Sequence, residues 1–507
     1  MPESPPQSAQ LWSQAQCHLA AKQAAPARAA LEALLVADPD HTLGRLALCN
    51  LAWRQNRVRE AAEHALRAAR SVPDYPELIC ETAGVLLRVG ETVAARECLQ
   101  RSALKGVASD TLLIRLADHW HALGRHAEAL AQTDRARQLG FDGDGIRHRR
   151  GRALAALGRT REAEPDLELG FLLGPTHGEI ALELAGLRTQ TRDRNHFNTL
   201  ASGIKSVTRG SRDHAALEFA LYKELEDVGR FDDAWAALAR ANAVMAQRKR
   251  CNVESMRRWF SLCIALCTRE TLRPAPADIE GPRPIFVIGL PHSGTRELAE
   301  RLARHSDVAN AGELRSFEQQ LFWMADHRGT QDEAFLERLP TIDFGELGRR
   351  YLAQTQWRAQ GRPYYVDSQP DNWMYAGLIH AALPDAAILH ARRESMDARF
   401  ACYRTFFGDS QAWSYDQATV GDCYSGYRNM IAHWHAEMPE AIHDISCDEM
   451  AGEAGTVLRR LFGSNEKSRS VVYADSPENA ARSDSDRSQK SAGVWRPYAR
   501  HFRWSPE

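Results

Sequence analysis

A repeat of 34 residues in the first half of the chain is the feature that most constrains its fold. Asn56, Gly90, Gly124 and Gly158 recur at this interval. Five positions after each of them stands an alanine: Ala61, Ala95, Ala129 and Ala163. Glycine or asparagine ends a helix well, and a small alanine lets the next helix pack closely. Each repeat therefore predicts a pair of antiparallel helices, and a run of such pairs predicts an α-solenoid.

The pattern continues on both sides of these four repeats. Lys22 and Ala27 hold the same places one repeat earlier, and Gly229 and Ala234 restore the pattern after a break in phase. The repeats resemble the tetratricopeptide repeat over roughly residues 10–245. That resemblance implies a scaffold that binds a protein or peptide partner. The alternative is a solenoid that only stabilises or dimerises the rest of the chain.

A proline-rich stretch marks the predicted boundary after the repeats. Four prolines interrupt helix formation in the sequence CTRETLRPAPADIEGPRP, which ends at Pro284. We therefore predict a repeat domain over residues 1–250, a proline-rich linker region over 251–282 and a second domain over 283–507.

Strands and helices alternate beyond the linker. The segments PIFVI, PYYVDS, DAAILHA and EAIHDIS read as strands, and DNWMYAGLIHAAL, SMDARFACYRTFF and AGTVLRRLFG read as helices. This alternation predicts an α/β domain with a parallel sheet. Ligands of such sheets bind beyond the carboxyl ends of the strands, so the loops at 289–295, 367–372 and 392–397 are the candidate site.

The first of these loops has the features of an anion-binding loop. In PIFVIGLPHSGTREL, Gly289 and Gly294 permit a tight turn between a buried strand and a helix that begins near Ser293. A Walker A loop would carry lysine after the second glycine, but Thr295 stands there. The loop therefore fits a nucleotide 5′-phosphate better than ATP or GTP, and plain strand–helix packing is the alternative reading.

Composition narrows the class of protein. The formal net charge of the 507 residues is -2, which gives no bulk attraction to nucleic acid or anionic membranes. The start, MPESPPQSAQ, lacks the features of a signal peptide, and no apolar run reaches the ~18 residues of a membrane span. Ten cysteines are scattered without a paired motif, so we expect a cytoplasmic protein with reduced thiols and no metal.

Five segments of the second half resemble one enzyme family. They are PIFVIGLPHSGT, AGELRS, VDSQPDN, ILHARRESMDARFACYRTFF and GVWRPYARHF, in that order. Together they resemble the sulfotransferases that use 3′-phosphoadenosine 5′-phosphosulfate (PAPS), especially the bacterial group fused behind tetratricopeptide repeats. The resemblance implies a P-loop-like α/β sulfotransferase domain and PAPS as sulfate donor.

The resemblance also implies donor-binding residues. The first segment supplies the cradle on the sulfate side, which consists of Pro291, His292, Ser293, Gly294 and Thr295. Arg393 falls on the arginine that grips the 3′-phosphate, and a guanidinium makes bidentate contacts to phosphate. A structural ion pair with Glu394 or Asp397 is the alternative role for Arg393.

A glutamate is the candidate general base. Glu313 of AGELRS matches the glutamate with which relatives that modify protein tyrosines deprotonate the acceptor hydroxyl. The attacking hydroxyl must lose its proton, and a nearby carboxylate can take it. The alternative is that Glu313 only caps a nearby helix.

Three positions depart from the family pattern. His292 replaces an arginine, Ser368 replaces a lysine beside the reacting sulfuryl group, and Ala401 replaces a serine that assists Arg393. His292 carries charge only while protonated, and Ser368 offers a neutral hydrogen bond. Compensating charge is expected from Arg296, Arg315 or Lys490.

We therefore expect a PAPS-dependent sulfotransferase of attenuated activity that acts on a hydroxyl or amine of a protein, peptide or glycan. A non-catalytic relative on a protein-binding scaffold is the alternative, and a phosphate-transferring P-loop enzyme is the third reading. The serine-rich stretch at residues 463–491 precedes the final motif, and in relatives that region approaches the active site, so acceptor choice is expected there.

Overall fold

The computed structural model describes residues 6–276, 280–329, 332–446 and 492–504. The chain forms two compact units. One contains residues 1–140 and 315–355, and the other contains residues 141–314 and 356–507. Neither unit is continuous in sequence, because the segment 315–355 from the second half joins the unit that holds the first repeats.

Helices make up the secondary structure of the first unit within its described residues, together with short 3₁₀ turns. Adjacent helices pack in pairs, and two of the later helices, α17 and α19, pack against α4 and α6 respectively. The helices are α1 (Pro6–Ala20), α2 (Ala24–Ala37), α3 (Thr42–Arg54), α4 (Val58–Ser71), α5 (Pro76–Val89), α6 (Thr92–Leu99), α7 (Asp110–Ala122), α8 (His126–Gln138), α17 (Ser316–Ala325), α18 (Glu333–Arg338) and α19 (Phe344–Thr355).

The predicted repeat geometry is confirmed. The residues expected to end the first helix of each pair adopt left-handed backbone conformations, with φ between 56° and 85°: Lys22, Asn56, Gly90, Gly124, Gly158 and Gly229. The alanines five positions later are at most 2% exposed: Ala27, Ala61, Ala95, Ala129, Ala163 and Ala234. The left-handed residue terminates one helix, and the missing side-chain bulk lets the next helix pack against it.

The second unit contains the remaining repeat helices and the sheet. The break in phase before Gly229 corresponds to two shorter helices, α11 and α12. The helices are α9 (Asp144–Ala156), α10 (Thr160–Leu173), α11 (Gly178–Leu187), α12 (Phe197–Ser206), α13 (Arg212–Asp227), α14 (Phe231–Arg248), α15 (Val253–Leu266), α16 (Thr295–Leu302), α20 (Ala376–Ala382), α21 (Ser395–Tyr403) and α22 (Gln417–Glu437).

The sheet has five parallel strands in the order β2-β3-β1-β4-β5. The strands are β1 (Arg283–Ile288), β2 (Val308–Gly312), β3 (Tyr364–Asp367), β4 (Ala387–Arg392) and β5 (Ile442–Ser446). The parallel sheet predicted from the sequence is confirmed. Strand β2 was not predicted, because VANAG is short and carries asparagine and glycine, which are uncommon in strands.

Two predicted helices differ in detail. DNWMYAGLIHAAL begins as a 3₁₀ segment, Pro370–Tyr375, before α20, and α21 ends at Tyr403, four residues before the predicted end. The predicted helix AGTVLRRLFG lies outside the described residues. Between Cys267 and Pro282 the described residues form neither helix nor strand, as expected of a linker.

Helices α13 and α14 share a hydrophobic core with the sheet domain. Phe219 and Leu238 from these helices belong to one buried cluster with Phe400, Tyr403 and Tyr498. The compact units thus divide the chain elsewhere than at the linker, and the boundaries at 250 and 282 stay a prediction about which segments fold alone. None of the described helices has the length and hydropathy needed to cross a bilayer.

Candidate functional site

The loop between β1 and α16 is closely packed against the neighbouring strand ends. A Cβ at Gly289 would lie 2.7 Å from the carbonyl oxygen of Ala391 and would also collide with Oγ of Ser293, so only glycine fits. The Gly289 N–H points to the carbonyl oxygen of Pro370 at 3.4 Å. The carboxyl ends of β1, β3 and β4 are therefore joined at this loop.

The start of α16 has no side-chain cap from its own N-cap residue. Its N-cap is Gly294, which has φ 98° and supplies no side-chain cap. Ser293 and Thr295 are buried beside it. Because Gly294 has no side chain with which to cap the helix, the positive end of the helix dipole faces the loop, where it favours an anion.

Arg393 lies against the same loop. Its Nη1 atom donates a hydrogen bond to the carbonyl oxygen of His292 at 2.8 Å. Of its predicted alternative partners, Glu394 accepts from the Asp397 N–H at 2.9 Å, and the Asp397 carboxylate accepts from the Gly493 N–H at 2.8 Å while it also interacts electrostatically with Arg393. The structure therefore places the Arg393 guanidinium beside the glycine-bracketed loop.

His292 is held by its ring as well as by its backbone. It adopts a left-handed conformation with φ 63°, and Nε2 lies 3.0 Å from Oγ1 of Thr405. His292 keeps an exposed surface, yet protein atoms surround its ring closely enough to disfavour the charged form. This desolvation, followed by the positive charges of Arg296, Arg404 and Arg393, lowers the pKa of His292 to about 4. The imidazole is therefore neutral at pH 7 in the free protein.

Arg404 contributes to that effect from a buried network. It forms an ion pair with Glu226 of α13, whose carboxylate also accepts hydrogen bonds from Tyr222 at 2.7 Å and Tyr498 at 3.1 Å. Burial alone would lower the pKa of Arg404, but Tyr222 and Glu226 more than offset this and raise it. Arg404 thus remains charged and adds to the effect of burial and of Arg296 in lowering the pKa of His292.

Glu313 and Arg296 form an ion pair at the exposed edge of the site. Arg296 Nη2 lies 3.1 Å from Glu313 Oε1, and the two side chains are 77% and 44% exposed. The nearby helix α17 has Arg315 at its N-cap and no side-chain cap, so capping does not explain Glu313. Arg315 itself pairs with Glu318 at 2.9 Å.

Ser368 lies at the carboxyl end of β3 and is buried. Its N–H donates to the carbonyl oxygen of Gly312 at 3.0 Å, next to Glu313. The preceding residue, Asp367, is fully buried, and its carboxylate accepts the N–H groups of Leu314 at 3.2 Å and Gln369 at 3.1 Å. Asp367 therefore fixes both loops that carry Glu313 and Ser368.

The structure adds three supporting residues to the candidate site that the sequence suggested. Thr405, Arg404 and Asp367 all stood in the segments that were singled out, but their roles depend on contacts between loops. The predicted residues from Pro291 to Arg296, with Glu313, Ser368 and Arg393, meet at one edge of the sheet. Lys490 lies outside the described residues.

The second half of the chain matches the sequence model of one protein family. The sequence model of the "Sulfotransferase family" matches residues 284–464. An uncharacterized protein of Aquifex aeolicus (strain VF5) is 24% identical over 320 residues, which cover 61% of this chain and 42% of that relative. The chain therefore spans less than half the length of this relative.

Solved structures of repeat proteins are similar to the helical part. A tetratricopeptide repeat protein from Parabacteroides merdae has 14% identity over 48% of this chain and 92% of its own, with a TM-score of 0.35. YrrB, described as a TPR protein with an unusual peptide-binding site, has 16% identity over 41% of this chain and 96% of its own, with a TM-score of 0.27. The segment matched by the family model, residues 284–464, contains the parallel sheet from β1 to β5.

Proposed function

We propose that this chain transfers a sulfuryl group from PAPS to a hydroxyl or amine of a protein, peptide or glycan, at a low rate. The family match over residues 284–464 supports the transferase class. The observation that carries the donor assignment is the 2.8 Å contact between Arg393 and the His292 carbonyl, which places a permanent cation beside the anion-binding loop.

The proposed donor contacts follow from the charges of the loop. Backbone N–H groups at the start of α16 and the hydroxyls of Ser293 and Thr295 suit the 5′-phosphosulfate, as a helix N-terminus suits an anion. Arg393 suits the 3′-phosphate, because its guanidinium stays charged and binds two oxygens at once. We retain Lys490 as a further proposed donor contact.

Glu313 is the proposed general base. The acceptor oxygen attacks sulfur, its proton passes to the Glu313 carboxylate, and the bond from sulfur to the bridging phosphate oxygen breaks. In the structure, Arg296 forms an ion pair with that carboxylate. A bound sulfate group would attract Arg296, and Glu313 would then be released toward the acceptor.

A shortage of positive charge supports the low rate. The leaving nucleotide gains negative charge on its bridging oxygen, and groups that stabilise this charge set the rate. His292 is neutral at pH 7 and Ser368 is neutral at any ordinary pH. Because both side chains are uncharged, a second candidate function is also favoured. It is a nucleotide-binding domain without catalysis that is carried on the repeats.

The repeat helices are proposed to bind a protein or peptide. Stacked helix pairs present extended surfaces of the kind that repeat proteins use for recognition. The acceptor and this partner can be the same molecule, in which case the repeats would raise its local concentration at the transferase site.

Calorimetry and donor turnover test the proposal together. We expect 3′-phosphoadenosine 5′-phosphate to bind and ATP with magnesium not to bind, because Thr295 replaces the lysine of ATP-binding loops. Release of that nucleotide from PAPS with an acceptor mixture would establish catalysis. Binding without turnover would favour the non-catalytic candidate, and binding of ATP alone would contradict both.

A further inference from the structure

Two histidines and an aspartate from three different elements converge at the β4–β5 edge of the sheet. His390 belongs to β4, His435 to α22 and Asp444 to β5. Asp444 Oδ1 lies 2.7 Å from Nδ1 of His390 and 3.2 Å from Nε2 of His435. The three atoms all lie within 4.8 Å of one another.

The groups around these three side chains resemble the outer shell of a metal site. The other ring nitrogen of His390, Nε2, hydrogen-bonds the hydroxyl of Tyr427, and the other oxygen of Asp444 accepts from Arg392 at 2.9 Å. Metal-binding histidines and carboxylates are typically oriented in this way by a partner on the atom that does not bind metal.

The cluster is also open to solvent on one side. His390 is 2% exposed, whereas the side chains of His435 and Asp444 are 36% and 32% exposed. An ion can therefore approach from solvent past His435 and Asp444, while the buried His390 is held in place by its surroundings.

We propose that His390 Nδ1, His435 Nε2 and Asp444 Oδ1 bind a divalent transition metal of the zinc type, with water as fourth ligand. Two imidazoles and one carboxylate form a ligand set typical of zinc. Calcium and magnesium prefer ligand sets made of oxygen atoms, so they fit this cluster poorly.

Tetrahedral coordination requires the side chains to move, because the two histidine nitrogens, which lie within 4.8 Å of each other, must also come to an ordinary ligand–ligand distance. Zinc bonds of ordinary length place neighbouring ligand atoms about 3.3 Å apart. The contact between His435 and Asp444 is already near that value, and the contact between His390 and Asp444 must open by about 0.6 Å. Binding also requires the His390 proton to move from Nδ1 to Nε2, where it bonds to Tyr427, and this releases no net proton.

This proposal differs from our expectation from sequence that the chain has no metal. That expectation considered short-range spacing and cysteines, whereas His390 lies 45 residues before His435 in the sequence. The sheet and α22 bring the three ligands together in the fold, so no local sequence motif indicates them.

Cobalt(II) and zinc titrations of chelator-treated full-length protein test the proposal. We expect one cobalt ion to bind with visible absorption typical of tetrahedral nitrogen and oxygen ligands, and zinc to displace it. His435→Ala should weaken zinc binding by more than about tenfold, since it removes a ligand outright. Asp444→Asn keeps the side-chain shape and should weaken binding too.

His433→Ala is the matched control, because His433 lies on the same helix but its Nε2 contacts the carbonyl oxygen of Cys267 at 2.7 Å. It should leave metal affinity unchanged. If wild-type protein shows no saturable binding, or binds through thiolates, or if the His435 variant binds as tightly as wild type, the cluster is a hydrogen-bonded group and the proposal fails. Folding of each variant is verified by circular dichroism before titration.

Discussion

The Nε2 atom of His292 lies 3.0 Å from Oγ1 of Thr405, and the Thr405 hydroxyl donates its own proton to the carbonyl oxygen of Ala401 at 2.8 Å. A hydroxyl has a single proton, so His292 must be the donor in the first contact. The neutral imidazole therefore carries its proton on Nε2 and leaves the lone pair of Nδ1 available. Thr405 thus orients the His292 ring.

Removing the Thr405 hydroxyl should weaken the preference of the His292 ring for the tautomer that carries its proton on Nε2. A neutral hydrogen bond contributes about 0.5–1.5 kcal/mol, so Thr405→Val should lower the preference for the Nε2–H form roughly two- to twelvefold. Ring ¹⁵N chemical shifts of labelled histidine at pH 8, assigned with a His292→Asn sample, measure the ratio. Thr405→Ser keeps the hydroxyl and should behave as wild type. An unchanged ratio in the valine variant would show that Thr405 does not set the tautomer.

The pKa of His292 predicts a pH-dependent stability. The folded protein holds this pKa at about 4, below the ordinary value of 6.5. Between these two values the unfolded chain binds more protons than the folded one, so the stability of the folded state rises with pH and is lost as pH falls from 6.5 toward 4. Guanidinium midpoints measured from pH 4.5 to 7.5 should fall less on acidification for His292→Asn than for wild type. Parallel curves would contradict the assigned shift.

The sequence predicted those parts of the fold that depend on local chemistry. Gly90 and Ala95 are examples, because a left-handed helix end favours glycine and a close contact between helices favours a small residue. Gly289 and Gly294 likewise indicated the loop. The uncharged residues His292 and Ser368 were visible in the sequence as departures from the motifs that it resembles.

Contacts between distant segments could not be predicted in the same way. The pairing of Glu313 with Arg296, the bond from Thr405 to His292 and the packing of α13 against α21 depend on three-dimensional placement. The charge of His292 also depends on such contacts, because burial and three arginines hold the free ring neutral.

Arg393 is expected to dominate nucleotide affinity. A charge-assisted contact contributes about 1.5–3 kcal/mol, so Arg393→Ala should weaken 3′-phosphoadenosine 5′-phosphate roughly ten- to a hundredfold. The loss should be far smaller for AMP, which has no 3′-phosphate. Calorimetry measures both affinities.

The neighbouring Arg392 provides the control for this prediction. Its guanidinium pairs with Asp444 at 2.9 Å, so Arg392→Ala should leave nucleotide affinity within about threefold of wild type. Equal losses in the two variants would indicate a general effect of positive charge. Retained affinity in the Arg393 variant would remove Arg393 from the donor site.

Dividing the chain at residue 250 should separate segments that depend on each other for stability. Phe400 and Tyr498 share a core with α13 and α14, and in the other unit Gln320 donates to the Gly90 carbonyl at 3.1 Å. Each exposed aromatic side chain forfeits about 1.5–3 kcal/mol of burial, so residues 251–507 alone should aggregate. Co-expressed fragments 1–250 and 251–507 should copurify. Cooperative unfolding of 1–250 alone, at the midpoint of the full chain, would instead support a boundary at 250.

Restoring positive charge is expected to accelerate the proposed reaction. Lysine at 368 and arginine at 292 would supply permanent charge where the leaving nucleotide becomes negative, and loss of one such donor elsewhere costs a hundred- to a thousandfold, or about 2.7–4 kcal/mol. The left-handed backbone at His292 and the burial of Ser368 will limit how fully the new side chains reach the donor. Even so, we expect Ser368→Lys combined with His292→Arg to raise turnover more than tenfold, and Glu313→Gln to remove the gain, because the charge assists departure of the nucleotide but does not replace the base. Release of 3′-phosphoadenosine 5′-phosphate measures the rate. A double variant that binds the donor but is no faster would mean, if the wild type turns over, that Arg296 or another cation already supplies the charge, and, if it does not, that the site only binds.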